Sequence, residues 1–375
     1  MNNLRTEDKT GSSEFELRVL DQKWNKRLLQ LNRESPVQAG GFQIFFDRSP
    51  DIFTIPKLTS YKYRCLGLFK EGQLLGYAMV TYQKRYIHQR VVNVIYLGNM
   101  HVVKKGLGRE LLKLLTKRFY DIIPKGTGVE YLYAYIIEHN KPAMKLVSVG
   151  YLYPWVVGKI SMVTILLLFP VKLNDKYTVR RAKSADIDRI VGLLQKEHSQ
   201  QFLAPYVDRD AFLDNLANRP YLDISNYFVA LLQNKIVGVC SAWDMTPFKK
   251  NRILKFGLKM KAVRFFYNMT ARAFGGSKLP KEGEAFRDIT IAEYAVENRN
   301  PEILETLLRH IYKLYRKIGY HSIIIGSDVN DPMLKATDIF WSKKVRSNVI
   351  LGAIEREKAR EIEPQPFIHA DAIQI

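Results

Sequence analysis

The sequence predicts an α/β protein built from two copies of one domain in tandem, and three observations carry that expectation. From Val91 to Phe119 an apolar strand runs through the loop Lys104-Lys105-Gly106-Leu107-Gly108-Arg109 into a leucine-rich helix. A second strand, Val129 to Ile137, leads into another short helix opening at Asn140, and the second half of the chain then repeats the order of the first. At 375 residues there is room for two domains, each burying its own core.

Taken in order, Met1 to Ser13 is polar and lacks an apolar signal core, so residues 1–14 read as a flexible N-terminus of a cytoplasmic protein. The first domain is expected over 15–171. Phe15-Glu16-Leu17-Arg18 opens a strand that leads into a helix, and Leu68 to Gly76 reads as a hairpin entering a third strand. After the glycine loop, Leu107, Leu111, Leu112, Leu114, Leu115 and Phe119 recur at helical spacing, so that helix buries one face against a sheet. Ile160 to Val171 is apolar but too short to cross a bilayer as a helix, and it reads as a buried strand between Lys159 and Lys172.

The second domain is expected over 172–355. Tyr177-Thr178-Val179-Arg180 answers Phe15 to Arg18, Leu231 to Gly238 answers the hairpin, and Asn330-Asp331-Pro332-Met333-Leu334-Lys335 echoes Asn140-Lys141-Pro142-Ala143-Met144-Lys145. Between the strand Ile289 to Val296 and the helix Pro301 to Ile318, however, lies Glu297-Asn298-Arg299-Asn300 in place of glycines. An Asn side chain crowds a backbone that must approach a phosphate and Glu297 repels one, so no cofactor is expected there. An insertion over 246–281 holds ten Lys/Arg and no acid, interleaved with aromatic and aliphatic residues. That pattern fits an amphipathic helix at a membrane surface or over an acyl channel, a binder of single-stranded RNA, or a solvated lid. In the tail, 356–375, Pro364-Gln365-Pro366 ends any helix.

The chemistry is suggested by the first loop. Glycines let the backbone approach a ligand, and the first turn of a helix offers unpaired N–H groups and a positive dipole end to an anion. The net charge of +21, spread over both halves (25 Lys/Arg against 13 Asp/Glu up to residue 171, 33 against 24 beyond it), favours anionic partners. Cys65 and Cys240 sit in separate expected strands, which excludes a disulfide framework and a zinc site. A G-x-x-x-x-G-K-S/T loop, an H-E-x-x-H motif and a G-x-S-x-G elbow are all missing, which argues against a kinase, zinc protease or serine hydrolase.

The run from the strand before Gly106 and Gly108, through Val129 to Ile137, to Asn140, Ala143, Leu146 and Gly150-Tyr151 resembles the GNAT acyltransferase superfamily over about residues 15–171. The resemblance implies two tandem GNAT-like domains, each a mixed, mostly antiparallel sheet flanked by helices and splayed at its fourth and fifth strands. It implies acetyl-CoA as co-substrate and no metal. The pyrophosphate then falls to Lys104, Lys105, Gly106, Leu107, Gly108 and Arg109, the thioester carbonyl to backbone near Met100 and Val102, and the pantetheine arm to Asn140. Two positions depart from the pattern: the Arg/Gln position of the loop is Val103, and the tyrosine often used as general acid is Val147. His101 and Glu138 are the nearest candidate bases by sequence, and Tyr82, Tyr96 or Tyr135 are candidate acids.

The expected activity is N-acetyl transfer from acetyl-CoA to an amine acceptor. The alternatives are a longer acyl group delivered by acyl-CoA or an acidic carrier protein, with membrane contact through 248–281, and a non-catalytic binder of nucleic acid or a protein partner.

Overall fold

The computed structural model describes residues 15–39, 41–104, 106–118, 127–147, 154–354 and 366–374. The first half runs β1 (Glu16–Leu20), α1 (Asn25–Arg33), β2 (Val37–Ala39), β3 (Phe42–Asp47), α2 (Thr54–Thr59), β4 (Lys62–Lys70), β5 (Gln73–Ile87), β6 (Arg90–Val102), α3 (Leu107–Lys117), β7 (Val129–Ile137), α4 (Lys141–Val147) and β8 (Trp155–Leu166). The second half runs β9 (Thr178–Arg181), α5 (Ile187–Ser199), α6 (Arg209–Asn218), β10 (Tyr227–Leu232), β11 (Lys235–Ser241), β12 (Trp243–Asp244), β13 (Lys250–Phe256), α7 (Leu258–Phe274), β14 (Asp288–Thr290), β15 (Tyr294–Val296), α8 (Pro301–Lys317), β16 (Ser322–Asp328) and β17 (Ser342–Ala353).

The duplication is visible in turn chemistry as well as order. The β4–β5 hairpin turns at Glu71 (φ 50°) and Gly72 (φ 76°), and the β10–β11 hairpin turns at Gln233 (φ 49°) and Asn234 (φ 63°). Two successive positive φ values match the twist of the flanking strands in both copies. Each copy then lays a helix on its sheet. From α3, Leu111 and Leu115 pack on Leu66, Leu68, Val80 and Ile95, while α1 covers the opposite face with Leu28 and Leu31 on Phe69, Tyr77 and Met79. From α8, Ile303, Leu304, Leu307, Leu308 and Ile311 pack on Val237, Ile289 and Ile323. Their i, i+4, i+8 recurrence is the apolar stripe that drives both helices inward. Cys65 and Cys240 are free and buried in β4 and β11.

The halves exchange their last strands. The ten-stranded sheet runs β1-β4-β5-β6-β7-β17-β8-β16-β14-β12, so β17 of the second half pairs with β7 of the first, while β8 of the first pairs with β16 of the second. β9, β10, β11 and β15 form a second sheet, and β13, β3 and β2 a third.

Three expectations are corrected. The insertion does not begin as a helix: its residues 250–256 form β13, which pairs antiparallel with β3 from Lys250 opposite Asp47 to Phe256 opposite Phe42, and only Leu258–Phe274 is helical. β3 presents an edge that takes up this strand, and Arg252 Nε bonds Asp47 Oδ2 at 2.8 Å across the pair. The run expected as one strand from Ile289 to Val296 is broken, with β14 turning to β16 and β15 to β11. The strand expected to reach Val171 ends at Leu166.

Candidate functional site

The first half opens a cleft where two strands part. β6 pairs antiparallel with β5 as far as Met79 opposite Gly98; the register then shifts, resuming at Tyr77 opposite His101. Asn99 and Met100 have no register partner on β5, and Asn99 takes φ 48°, so β6 carries a bulge there. On its other side β6 runs parallel to β7 only from Asn93 to Tyr96, opposite Val129 to Tyr133. Past Tyr96 the strands diverge, and peptide groups that would have paired across them face open space.

That space is a cavity of about 300 Å³. Leu97, Gly98, Asn99 and Met100 line one wall and Ala134 to Ile137 the other; Leu112, Leu115 and Thr116 of α3 and Ile350 and Gly352 of the exchanged β17 close its inner end. Its surface is mostly apolar. At the start of α3, Gly106 takes φ 95°, a conformation that suits glycine, and caps the helix, whose Arg109 N–H donates to the Gly106 carbonyl at 3.0 Å. Lys104, Gly106 and Arg109 are exposed and Leu107 and Gly108 half-buried, leaving the first turn of α3 facing outward. Asn140 lines the cavity and holds the start of α4, its Oδ1 accepting from Ala143 N at 3.2 Å. Lys105 and Gly150-Tyr151 lie outside the described residues.

The remaining candidates separate. Met100 lines the cavity, but Val102 does not: it pairs with Gly76 on β5. His101 points to the α1 side of the sheet, where its ring stacks on Tyr77 at 5.3 Å between centroids. Burial, assisted by the Arg48 charge, pushes its imidazole down to about 4. The Glu138 carboxylate bonds Lys159 Nζ at 2.6 Å, an interaction that lowers its pKa, and Glu138 is not among the residues lining the cavity. Tyr96 and Tyr135 line the cavity with ring centroids 5.6 Å apart, and burial raises both phenols, so they remain protonated. Tyr82 packs with the α3 cluster instead. Val147, in place of the family's tyrosine, lines the cavity; Val103 packs near Leu28 and donates its N–H to the Leu75 carbonyl at 2.9 Å.

Beneath Tyr96 lies a buried polar network with no local signal in the sequence. Arg85 Nη2 bonds Asp371 Oδ2 at 2.7 Å, and Tyr133 donates to Gln83 Oε1 at 2.7 Å. Burial alone would raise Asp371, but Arg85 beside it holds the carboxyl well below the usual carboxylate range. Gln374 Nε2 bonds Asp371 Oδ2 at 2.7 Å, and Lys249 Nζ donates to the carbonyls of Ala372 (2.6 Å) and Ile373 (3.1 Å). Partners 286 residues apart, as Arg85 and Asp371 are, become legible only in three dimensions.

The second copy has the same splay, since β14 runs parallel to β16 and β15 departs to β11. Here the gap is filled by the chain's own residues 368–370. Ile368 N–H donates to Asp328 Oδ2 at 3.0 Å, and a Cβ at Gly326 would stand 2.8 Å from the Ala370 Cβ. About 10 Å³ remains, room for about one water at most. The loop before α8 is occupied too: Arg299 pairs with Glu197 and, at 2.7 Å, with Asp331, and Glu297 pairs with Arg189. Among the described residues no group of three or more His, Cys, Asp or Glu could hold a metal ion, and no helix is long and apolar enough to cross a membrane.

Two tandem copies of a splayed sheet with a helix after the splayed strand, joined through exchanged strands, have the fold of the GNAT superfamily in tandem arrangement. The N-myristoyltransferase of Saccharomyces cerevisiae, solved with myristoyl-CoA and inhibitors, is similar over 93% of this chain and 82% of its own, with 14% identity and a TM-score of 0.59. A second structure of that enzyme with myristoyl-CoA gives 0.57 at 16% identity, covering 93% and 85%. A GCN5-related N-acetyltransferase from Sphaerobacter thermophilus is similar over 78% of this chain and 81% of its own, at 16% identity and a TM-score of 0.50. At these identities the likeness is one of fold. No protein-family model matches the sequence, and no curated protein matches it.

Proposed function

We propose that the chain is an N-acyltransferase that draws an acyl group from acyl-CoA into the first-half cleft and passes it to an amine. The observation that carries this reading is the open cavity at the splay of β6 and β7, walled on one side by the Gly106-capped α3. In the reaction the amine nitrogen attacks the thioester carbonyl, the C–N bond forms, the C–S bond breaks, and the proton lost by the amine ends on the thiolate. Backbone N–H groups at the bulge, at Asn99 and Met100, are suited to the developing oxyanion. The α3 terminus with Lys104 and Arg109, and Lys105 and Gly108 in the same loop, would receive the pyrophosphate, and Asn140 the pantetheine arm. Glu138 is tied to Lys159 and His101 faces the α1 side of the sheet, so neither is placed to take a proton in the cleft, and the amine attacks as its free base. Tyr96, protonated and at the cleft, takes the place of the missing acid, since the Tyr135 hydroxyl already donates to the His369 carbonyl at 3.2 Å.

The mostly apolar cavity favours an acyl group longer than acetyl, in the room that the pantetheine arm beside Asn140 leaves free. Burying each methylene contributes about 0.8 kcal/mol, so affinity should climb about fourfold per added carbon until the cavity is full. Thioester consumption measured with donors from acetyl-CoA to myristoyl-CoA and a panel of amines tests this. Turnover that peaks at a medium or long chain and is lost in Gly106→Glu supports it; no turnover with any donor would leave the non-catalytic alternative.

A separate observation favours a membrane-surface setting. On α7, Leu258 (87% exposed), Phe265 (62%) and Met269 (57%) share one outward face with Phe266 (65%), while Tyr267 and Ala271 anchor the helix on Leu168. Lys259, Lys261 and Arg272 flank that face, which complements an anionic lipid surface. Flotation with phosphatidylserine vesicles is expected to carry the wild-type protein, with binding falling about tenfold or more in Phe265→Glu/Phe266→Glu; equal binding to neutral vesicles would count against this setting.

A further inference from the structure

Tyr96 and Gly98 share one face of β6, and the tyrosine ring lies along its own strand over the glycine. A Cβ built on Gly98 would stand 2.7 Å from Tyr96 Cζ and 2.8 Å from its hydroxyl oxygen, closer than atoms that are not bonded approach. Gly98 does not take a positive φ, so its backbone does not call for glycine; the ring above it does. Nor is the ring free to step aside, because Tyr133 stands 5.0 Å from it and Tyr135 5.6 Å, centroid to centroid. Both neighbours are tied by their hydroxyls, Tyr133 to Gln83 Oε1 at 2.7 Å and Tyr135 to the His369 carbonyl at 3.2 Å. Arg85 Nε holds Gln83 Oε1 in turn at 2.9 Å. Of these three phenols, Tyr96 alone keeps its hydroxyl out of any hydrogen bond among the described residues.

Tyr96 and Gly98 both line the cleft, and Gly98 is the last residue before the bulge at Asn99 and Met100. The hydroxyl lies against Gly98, so it stands next to the backbone suited to the thioester oxygen. We infer that Gly98 is a positioning residue: by carrying no side chain it lets the Tyr96 hydroxyl lie at the bulge, where that hydroxyl protonates the departing thiolate. This deepens the acyltransferase reading and rests on it. As the C–S bond breaks, the sulfur takes the Tyr96 proton; the tyrosinate then takes the proton that the amine nitrogen sheds once the C–N bond has formed, which restores the phenol. A tyrosine anchored on β6 thus does the work that Val147 on α4 cannot.

The experiment is a double-mutant cycle of Tyr96→Phe and Gly98→Ala. Lauroyl-CoA is the donor, phenethylamine, cadaverine and glycinamide are the acceptors, and lauroyl-CoA affinity is measured by calorimetry. Tyr96→Phe should lower kcat about 100-fold and Gly98→Ala about tenfold or more, with lauroyl-CoA affinity and KM held within about threefold in both. If Gly98 acts through Tyr96, the double variant falls no more than about threefold below Tyr96→Phe alone, whereas independent effects would multiply. Multiplying losses, an unchanged kcat in either single variant, or a Gly98→Ala protein that loses lauroyl-CoA binding instead of kcat overturns the inference. Should Gly98→Ala fail to fold, the contact is tested by adding it to Tyr96→Ala: with the ring gone it should leave Tm unchanged, and a drop there would place the clash elsewhere and overturn the inference too. The acyltransferase reading fails differently, with lauroyl-CoA neither bound nor consumed by the wild-type protein, and this inference then falls with it.

Discussion

The two clefts of this molecule are the same construction put to opposite ends. In both, a strand leaves its parallel neighbour, β6 from β7 and β14–β15 from β16. The first gap keeps about 300 Å³ between mostly apolar walls; the second keeps about 10 Å³, because residues 368–370 run through it. The loops that follow differ in the same sense. Gly106 leaves a helix end facing outward, whereas Arg299 and Glu297 spend their charges on Glu197, Asp331 and Arg189. A splay is therefore a capacity of the fold, and whether it becomes a site depends on what the rest of the chain places in it. The segment that fills the second cleft also carries Asp371 and Gln374 to the floor beneath the first, which ties the closed copy to the open one.

The comparison can be broken from the closed side. Ile368 is 3% exposed and plugs the second cleft, so Ile368→Ala should cost about 2–4 kcal/mol in urea unfolding through the lost contact and the cavity left behind. A loss under about 0.5 kcal/mol would mean that the plug is ornamental. From the open side, Gly106→Glu forces a positive φ on a side chain and sets a negative charge at the anion end of α3. Acyl-CoA affinity should fall about 100-fold, while Asn298→Glu at the equivalent loop of the second copy leaves it unchanged. Comparable losses from both would remove the distinction between the copies. Ala134→Trp narrows the first cavity and should weaken myristoyl-CoA binding about tenfold while sparing acetyl-CoA.

A further effect concerns pH. Lys249 has its folded pKa lowered to about 7 from 10.5, so between those values the unfolded chain holds a proton that the folded chain has released. Stability from this group therefore rises with pH above about 7, by up to roughly 1.4 kcal/mol per unit. Urea titrations from pH 7 to 9 should show the wild-type protein gaining on Lys249→Met across that window; a difference that stays flat would contradict the shift.

What the sequence made legible was local. The strand Val129 to Ile137, the helix after Gly106, the two hairpins and the duplication all follow from periodicity and turn residues within a few positions of each other. What it hid depends on distant pairing. The exchange of β8 and β17 leaves each strand's own pattern unchanged, since a buried strand reads the same whichever sheet receives it. β13 was masked by its cations, whose partners on β3 lie some 200 residues earlier. At the site, Met100 and Asn140 line the cavity and Gly106 caps α3, whereas His101 faces the other side of the sheet and Glu138, bonded to Lys159, does not line the cavity.

The most direct test of one open and one closed cleft is the stoichiometry of myristoyl-CoA binding by calorimetry on the full chain, with Gly106→Glu alongside. One molecule bound per chain, lost in the variant, is the result expected. Two molecules per chain, or one that survives Gly106→Glu, would contradict the assignment of the site to the first cleft.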